Sequence, residues 1–193
     1  MYRYSLGIII AFIFCSTSYA ESESSNPAPN KQTPQALYLT ATEAYQLKKI
    51  QPNEVFFVDV RTQAEVEFVG VADIIDVNIP YIFNGPDDWD EEKNRFGKPI
   101  NSNFSVALED KLTKAGFDKN TTIILMCRSG KRSAKAANLL HQLKYTKAYT
   151  VIDGFEGDKV KTGPNKGKRK LNGWKNSDLP WSYKLEEEKM YLE

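Results

Sequence analysis

The stretch Cys127-Arg128-Ser129-Gly130-Lys131-Arg132-Ser133 gathers a nucleophile, three cations, two hydroxyls and a glycine into one short run. A β-branched apolar segment, Thr121-Thr122-Ile123-Ile124-Leu125-Met126, precedes it, and Ala134-Lys135-Ala136-Ala137-Asn138-Leu139-Leu140 follows. The first reads as a buried strand and the second as a helix, so the cysteine is predicted in a tight turn at a helix N-terminus. Cations are unfavourable at that end of the helix dipole. Arg128, Lys131 and Arg132 make sense there if an anion sits among them: a Cys127 thiolate, a charged substrate, or both. The chemistry this suggests is nucleophilic, with a thiolate that accepts a group and releases it again. Gly130 permits the tight turn. Ser129 and Ser133 can donate hydrogen bonds, and Ser133 is also placed to cap the helix.

Other cysteine chemistries fit less well. The single histidine, His141, lies about nine residues into the predicted helix, ~12–14 Å along its axis, so a Cys–His dyad is disfavoured. It reads as a helix-surface residue. One loop cysteine and one histidine cannot build a Cys/His metal site. A cysteine phosphatase uses a similar thiolate but needs arginine six positions after the cysteine. Here that position is Ser133, with Arg132 one residue earlier.

The loop resembles the active loop of single-domain members of the rhodanese-like family of sulfurtransferases. Val58-Asp59-Val60-Arg61 with Glu65, Asn78-Ile79-Pro80-Tyr81, Asp153-Gly154-Phe155-Glu156-Gly157, and Gly173-Trp174 with Leu179-Pro180 are similar to the family's other segments, in the same order. The resemblance runs from about Leu39 to Tyr183. It departs from the family pattern where Gly70 is followed by Val71 rather than histidine, and in two inserts, 82–103 and 158–172. It implies an α/β, three-layer rhodanese-like fold with a mostly parallel central sheet flanked by helices. It further implies a Cys127 persulfide as sulfur carrier, with Arg128 to Ser133 binding a small anionic donor such as thiosulfate. A thiol or cyanide would be the acceptor, and no cofactor is required; the alternative within the same family is a non-catalytic periplasmic binding or sulfur-delivery module. Asp59 and Arg61 fall where the family places a supporting polar pair.

The elements that must position the loop alternate strand and helix, which by itself argues for a largely parallel α/β sheet. Expected strands are Val55–Val60, Ile74–Ile79, Thr121–Met126 and Ala148–Ile152. Expected helices are one capped by Thr40 or Thr42 with Ala44, Leu47 and Ile50 inward, one opened by the capping box Thr62-Gln63-Ala64-Glu65 and ended by Gly70, one capped by Ser105 with Leu108 and Leu112 inward, and one from the cysteine loop to about Leu143. In such sheets ligands bind beyond the carboxyl ends of the strands. That edge receives Arg61-Thr62, the insert after Tyr81, the cysteine loop and the segment after Ile152. Both inserts should therefore flank the cysteine. The first carries no clean period. The second is rich in lysine and reads either as a solvated loop or as a positive rim for anions or an acidic partner. Trp89, Trp174, Trp181 and Tyr183 are candidates for an apolar contact patch, although Trp174 and Trp181 read more readily as packing.

Residues 1–20 have the form of a secretory signal peptide: Arg3, an apolar run from Leu6 to Cys15, and the small-x-small site Ser18-Tyr19-Ala20. The expected location is the periplasm. The apolar run is short for a transmembrane span, and no stable membrane anchor is expected. Residues 21–35 read as a flexible linker, 36–184 as the domain and 185–193 as an exposed tail. The chain has 193 residues with 26 cations and 25 acids; loss of Arg3 with the leader leaves a neutral protein. Nucleic acid is a poor partner for it, whereas a periplasmic protein at the inserts is plausible. Only Cys127 would remain after cleavage, so its thiol is free.

Overall fold

The computed structural model describes residues 27–192; the expected leader and residues 21–26 lie outside them. Its centre is a five-stranded sheet, with strands β1 (Tyr38–Leu39), β8 (Ala148–Val151), β7 (Thr122–Met126), β2 (Val55–Asp59) and β4 (Val77–Asn78) adjacent in that order. Every pairing in it is parallel. The register sets Val58 beside both Val77 and Leu125. Two short antiparallel pairs lie outside it: β3 (Val71–Ala72) with β9 (Trp181–Ser182), and β5 (Gly85–Asp90) with β6 (Arg95–Gly97).

Strand periodicity divides the core. Phe56, Val58, Ile123, Leu125 and Cys127 point to one face, under α3 (Phe104–Lys114) and α4 (Lys131–Gln142). Val55, Phe57, Ile124 and Met126 point to the other, under α1 (Ala41–Ile50), α2 (Gln63–Val69) and the buried Trp174. Because both faces are covered, the strands are apolar throughout rather than alternating. From β2 the chain crosses by α2 to β4; from its neighbour β7 it crosses by α4 to β8, on the opposite face. Adjacent strands that send their connections to opposite faces leave a crevice at their carboxyl ends.

Several expectations change in detail. Thr40 caps α1 in a box with Glu43, but Ile50 is exposed, and Lys48 is buried in its stead. The Lys48 ammonium reaches the Pro52 and Val55 carbonyls and the Asp76 carboxylate. Helix α3 starts after Asn103, not Ser105. Of the strand expected over 74–79, only Val77–Asn78 pairs in the sheet. Residues 27–35 are not a free linker. The turn Pro29–Lys31 packs against α4, and Lys31 Nζ donates to Ile152 O and to the Asp158 carboxylate. The tail is also only partly exposed, since Met190 and Tyr191 are buried. The insert 82–103 is an antiparallel ribbon: Ile82 bridges Ile100, and the β5–β6 hairpin extends it.

Candidate active site

Cys127 is the first residue beyond β7 and Gly130 is the N-cap of α4, with φ of 89°. A Cβ at Gly130 would stand 2.2 Å from Ile152 O, so only glycine fits. The loop is held from behind: the N–H groups of Phe155 and Glu156 donate to the carbonyls of Cys127 and Arg128. Gly154 lies so close under it that a Cβ there would meet Cys127 O at 2.4 Å.

Asp59 and Arg61 form a fully buried ion pair behind this loop, not in the cleft. Arg61 Nη2 lies 2.6 Å from Asp59 Oδ2 and also donates to Gly70 O. The guanidinium carbon sits 3.8 Å from the centre of the Phe155 ring. The pair therefore supports the residue whose N–H fixes the Cys127 carbonyl.

Ser133 does not cap α4. It lies inside the first turn, fully buried, and its hydroxyl donates to Gly130 O at 2.9 Å. The Cys127 thiol lies 3.7 Å from that hydroxyl and donates to it. Ser133 thus contacts the sulfur from the interior and cannot touch a bound oxyanion outside. His141 is exposed on the far end of α4.

Over the sulfur opens a cleft of about 480 Å³. Cys127, Arg128, Ser129, Lys131 and Arg132 line it from the loop, Thr62 and Glu65 from the start of α2, Tyr81 from the segment after β4, and Arg95 and Lys98 from the first insert. These segments follow β7, β2 and β4, and the crevice opens between the first two. The three loop cations do not play one role. Arg132 donates from Nη1 and Nη2 to the two Glu65 carboxylate oxygens, each at 2.6 Å. That clamp leaves it poorly placed for an external anion, contrary to the expectation that it would hold a donor. Arg128 and Lys131 are exposed, and among the described residues no carboxylate pairs with either.

Glu65 is also the last residue of the α2 capping box. Burial raises its pKa, but the hydrogen bond and charge of Arg132, with the Thr62 N–H, outweigh this and hold it at about 2. Lys98 and Arg95 are cleft residues that sequence reasoning missed, because the hairpin that presents them carried no recognisable period. Partial burial lowers Lys98 below the ordinary lysine value; Glu65 opposes this, while Arg132, Arg95 and Arg128 reinforce it. A buried sulfur with cations around its opening, at the N-terminus of a helix, suits capture of a small anionic group by a thiolate. Among the described residues no group of ligating side chains could hold a metal ion.

A parallel α/β domain with a cysteine loop at the switch point of its sheet defines a class of thiol-bearing domains. The chain belongs to the rhodanese-like domain family, whose family model matches residues 40–160. The uncharacterized protein RP600 of Rickettsia prowazekii (strain Madrid E) is 32% identical over 145 residues, which cover 75% of this chain and 96% of that protein. Protein RC0915 of Rickettsia conorii, also uncharacterized, is 31% identical over the same shares. Among solved structures, the crystal structure of Rv0390 from M. tuberculosis superposes with a TM-score of 0.59 at 29% identity, over 76% of this chain and 97% of that one. The fold is thus of the sulfurtransferase type.

Proposed function

We propose that this protein is an exported sulfurtransferase in which Cys127 carries the sulfur as a persulfide. The observation that carries the reading is the position of Cys127, the one cysteine among the described residues, at the floor of a cation-lined cleft at a helix N-terminus. The Cys127 thiolate attacks the outer sulfur of a donor such as thiosulfate. The donor's S–S bond breaks and sulfite leaves with the electron pair. A thiolate or cyanide then attacks the outer sulfur of the persulfide, and the Cys127 thiolate leaves. No net oxidation occurs, so no cofactor is needed. Arg128 and Lys131 hold the donor's oxygens, Glu65 keeps Arg132 in place, and the Asp59–Arg61 pair keeps the loop in shape. A phosphatase reading loses support because the one arginine near the required position is committed to Glu65. Export rests on residues 1–20 alone.

Intact mass tests this directly. Treatment with thiosulfate, or with polysulfide as a second donor, should add one sulfur atom to Cys127, and cyanide should remove it as thiocyanate. The C127S variant should lose all turnover, with stability changed by about 1 kcal/mol or less. Turnover retained in C127S, or a reactive thiol that no sulfane donor loads, would overturn the proposal.

A further inference from the structure

A second cleft, of about 600 Å³, adjoins the first. Ser129 and Lys131 line both, so the ridge between them is the cysteine loop itself. The second cleft is walled by Lys31 and its neighbours on one side and by Asp158, Lys159, Lys161 and Arg169 of the second insert on another. The insert is held in place: Lys159 bridges Arg169, and the Arg169 guanidinium donates to Gly157 O. Burial lowers Arg169 below the ordinary arginine value and Arg128 reinforces this, while Glu156, Asp158 and Cys127 oppose it. Each insert thus contributes cations to one cleft: Arg95 and Lys98 line the first, beside Arg128, and Lys159, Lys161 and Arg169 line the second.

The carboxylates that line the two clefts are already occupied. Glu65 is clamped to Arg132, and Asp158 lies 2.8 Å from Lys31 Nζ. Lys131, Lys135, Lys159 and Lys161 have no carboxylate partner among the described residues. Arg95 and Arg169 are partly offset by Asp90 at 3.6 Å and Glu156 at 4.0 Å, so the uncompensated charge of the two clefts is that of Arg128 and these lysines. Each cleft is also far larger than a small oxyanion; volumes of about 300–1,000 Å³ enclose ligands of many atoms. The cations line concave walls on both sides of a ridge, which suits an inserted chain rather than a flat surface.

We propose that the two clefts form one track for an acidic, extended segment of a partner protein, with a cysteine in that segment accepting the sulfur. The inference rests on the persulfide reading above. The segment crosses the Ser129–Lys131 ridge with acidic side chains in both clefts, and the acceptor cysteine points down the first-cleft side of the ridge, where Cys127 lies. Its thiolate attacks the outer sulfur of the Cys127 persulfide; a new S–S bond forms on the partner as the old one breaks, and the Cys127 thiolate leaves.

The probe is a short, labelled synthetic peptide of alternating Glu and Gly with one central cysteine, beside a Gln-for-Glu counterpart. Serine-for-cysteine forms serve for binding. The acidic peptide should bind the full mature protein more tightly than the Gln peptide, with affinity falling as salt rises. K159E/K161E should weaken that binding about tenfold, whereas the same charge change at Lys49 and Lys114, outside both clefts, should not. With Cys127 loaded, the rate ratio of acidic to Gln cysteine peptide should exceed one and collapse in K159E/K161E. Equal binding of the two peptides, or equal weakening by the control variant, overturns the inference. If Cys127 never loads, the function proposed above fails, and the binding measurement still decides the docking surface. Binding to vesicles of anionic phospholipid in preference to the acidic peptide would also overturn it.

Discussion

Cys127 continues the inside–outside alternation of β7, which turns its sulfur toward the face covered by α3 and α4. The turn that follows is possible because Gly130 accepts a φ of 89° with Ile152 O at its back. Gly130→Ala combines that backbone strain with a contact too short for any Cβ, so it should destabilise the protein by about 2 kcal/mol or more and displace the loop. Chemical denaturation and the persulfide mass assay together check this; an alanine variant of unchanged stability and loading would refute the close-packed loop. The places of Cys127 and Gly130 in a turn between strand and helix were legible in the sequence because they follow from the residues beside them. Arg132 was not. Its partner Glu65 is 67 positions away, and a run of three cations gives no sign of which one is neutralised from elsewhere in the chain. The Ser133 cap failed for a similar reason: the helix begins early enough to place that hydroxyl inside its first turn.

Helices α2 and α4 come from opposite faces of the sheet, and Glu65–Arg132 ties their N-terminal turns together across the crevice. The folded-state value of Glu65, about 2, lies below the ordinary 4.5. Its carboxylate therefore contributes stability that is complete above pH 4.5 and is lost as the pH falls toward 2. The shift corresponds to about 3 kcal/mol. Glu65→Gln should cost about 2 kcal/mol at pH 7, because Arg132 loses its counter-charge while largely buried. The same variant should lose less stability than the parent between pH 5 and pH 3. Urea midpoints at those pH values test the sign, and parallel losses in both proteins would sink it. The α2 capping box was readable as a local signature, but its second duty was not. The hairpin was hidden differently. Asp87, Asp88, Asp90, Glu91 and Glu92 look like a solvated loop, and an irregularity in the register between Gly85 and Trp89 breaks the two-residue alternation that marks a strand. Trp89 meets Phe96 edge-to-face in that hairpin, while Trp181 meets Phe155 and Tyr183 edge-to-face, so the four aromatics do not form one patch.

Across the molecule, the parallel sheet was readable from alternating apolar runs, whereas the ends of the domain were not. Polar, proline-rich composition suggested that residues 21–35 pack on nothing, and a run of glutamates suggested the same for the tail. Single residues overrule composition at both ends. Lys31, its side chain only 8% exposed, reaches the carbonyl that follows β8 and the acid that opens the second insert. Tyr191 is buried in the core under α3, and its hydroxyl accepts a hydrogen bond from Asn103. Chains that begin at residue 27 and at residue 36 should consequently differ in thermal stability. The longer should match a chain that begins at residue 21, and the shorter should lose about 1 kcal/mol for the Lys31 contacts, besides the packing on α4. Tyr191→Ala should cost about 3 kcal/mol through the cavity it leaves. Because Pro29–Lys31 packs on the helix that starts at the cysteine loop, the shorter chain should also load sulfur on Cys127 more slowly. Melting curves and the mass assay on the same samples separate these effects. Equal melting and equal loading for the two chains would return residues 27–35 to the status of a tether.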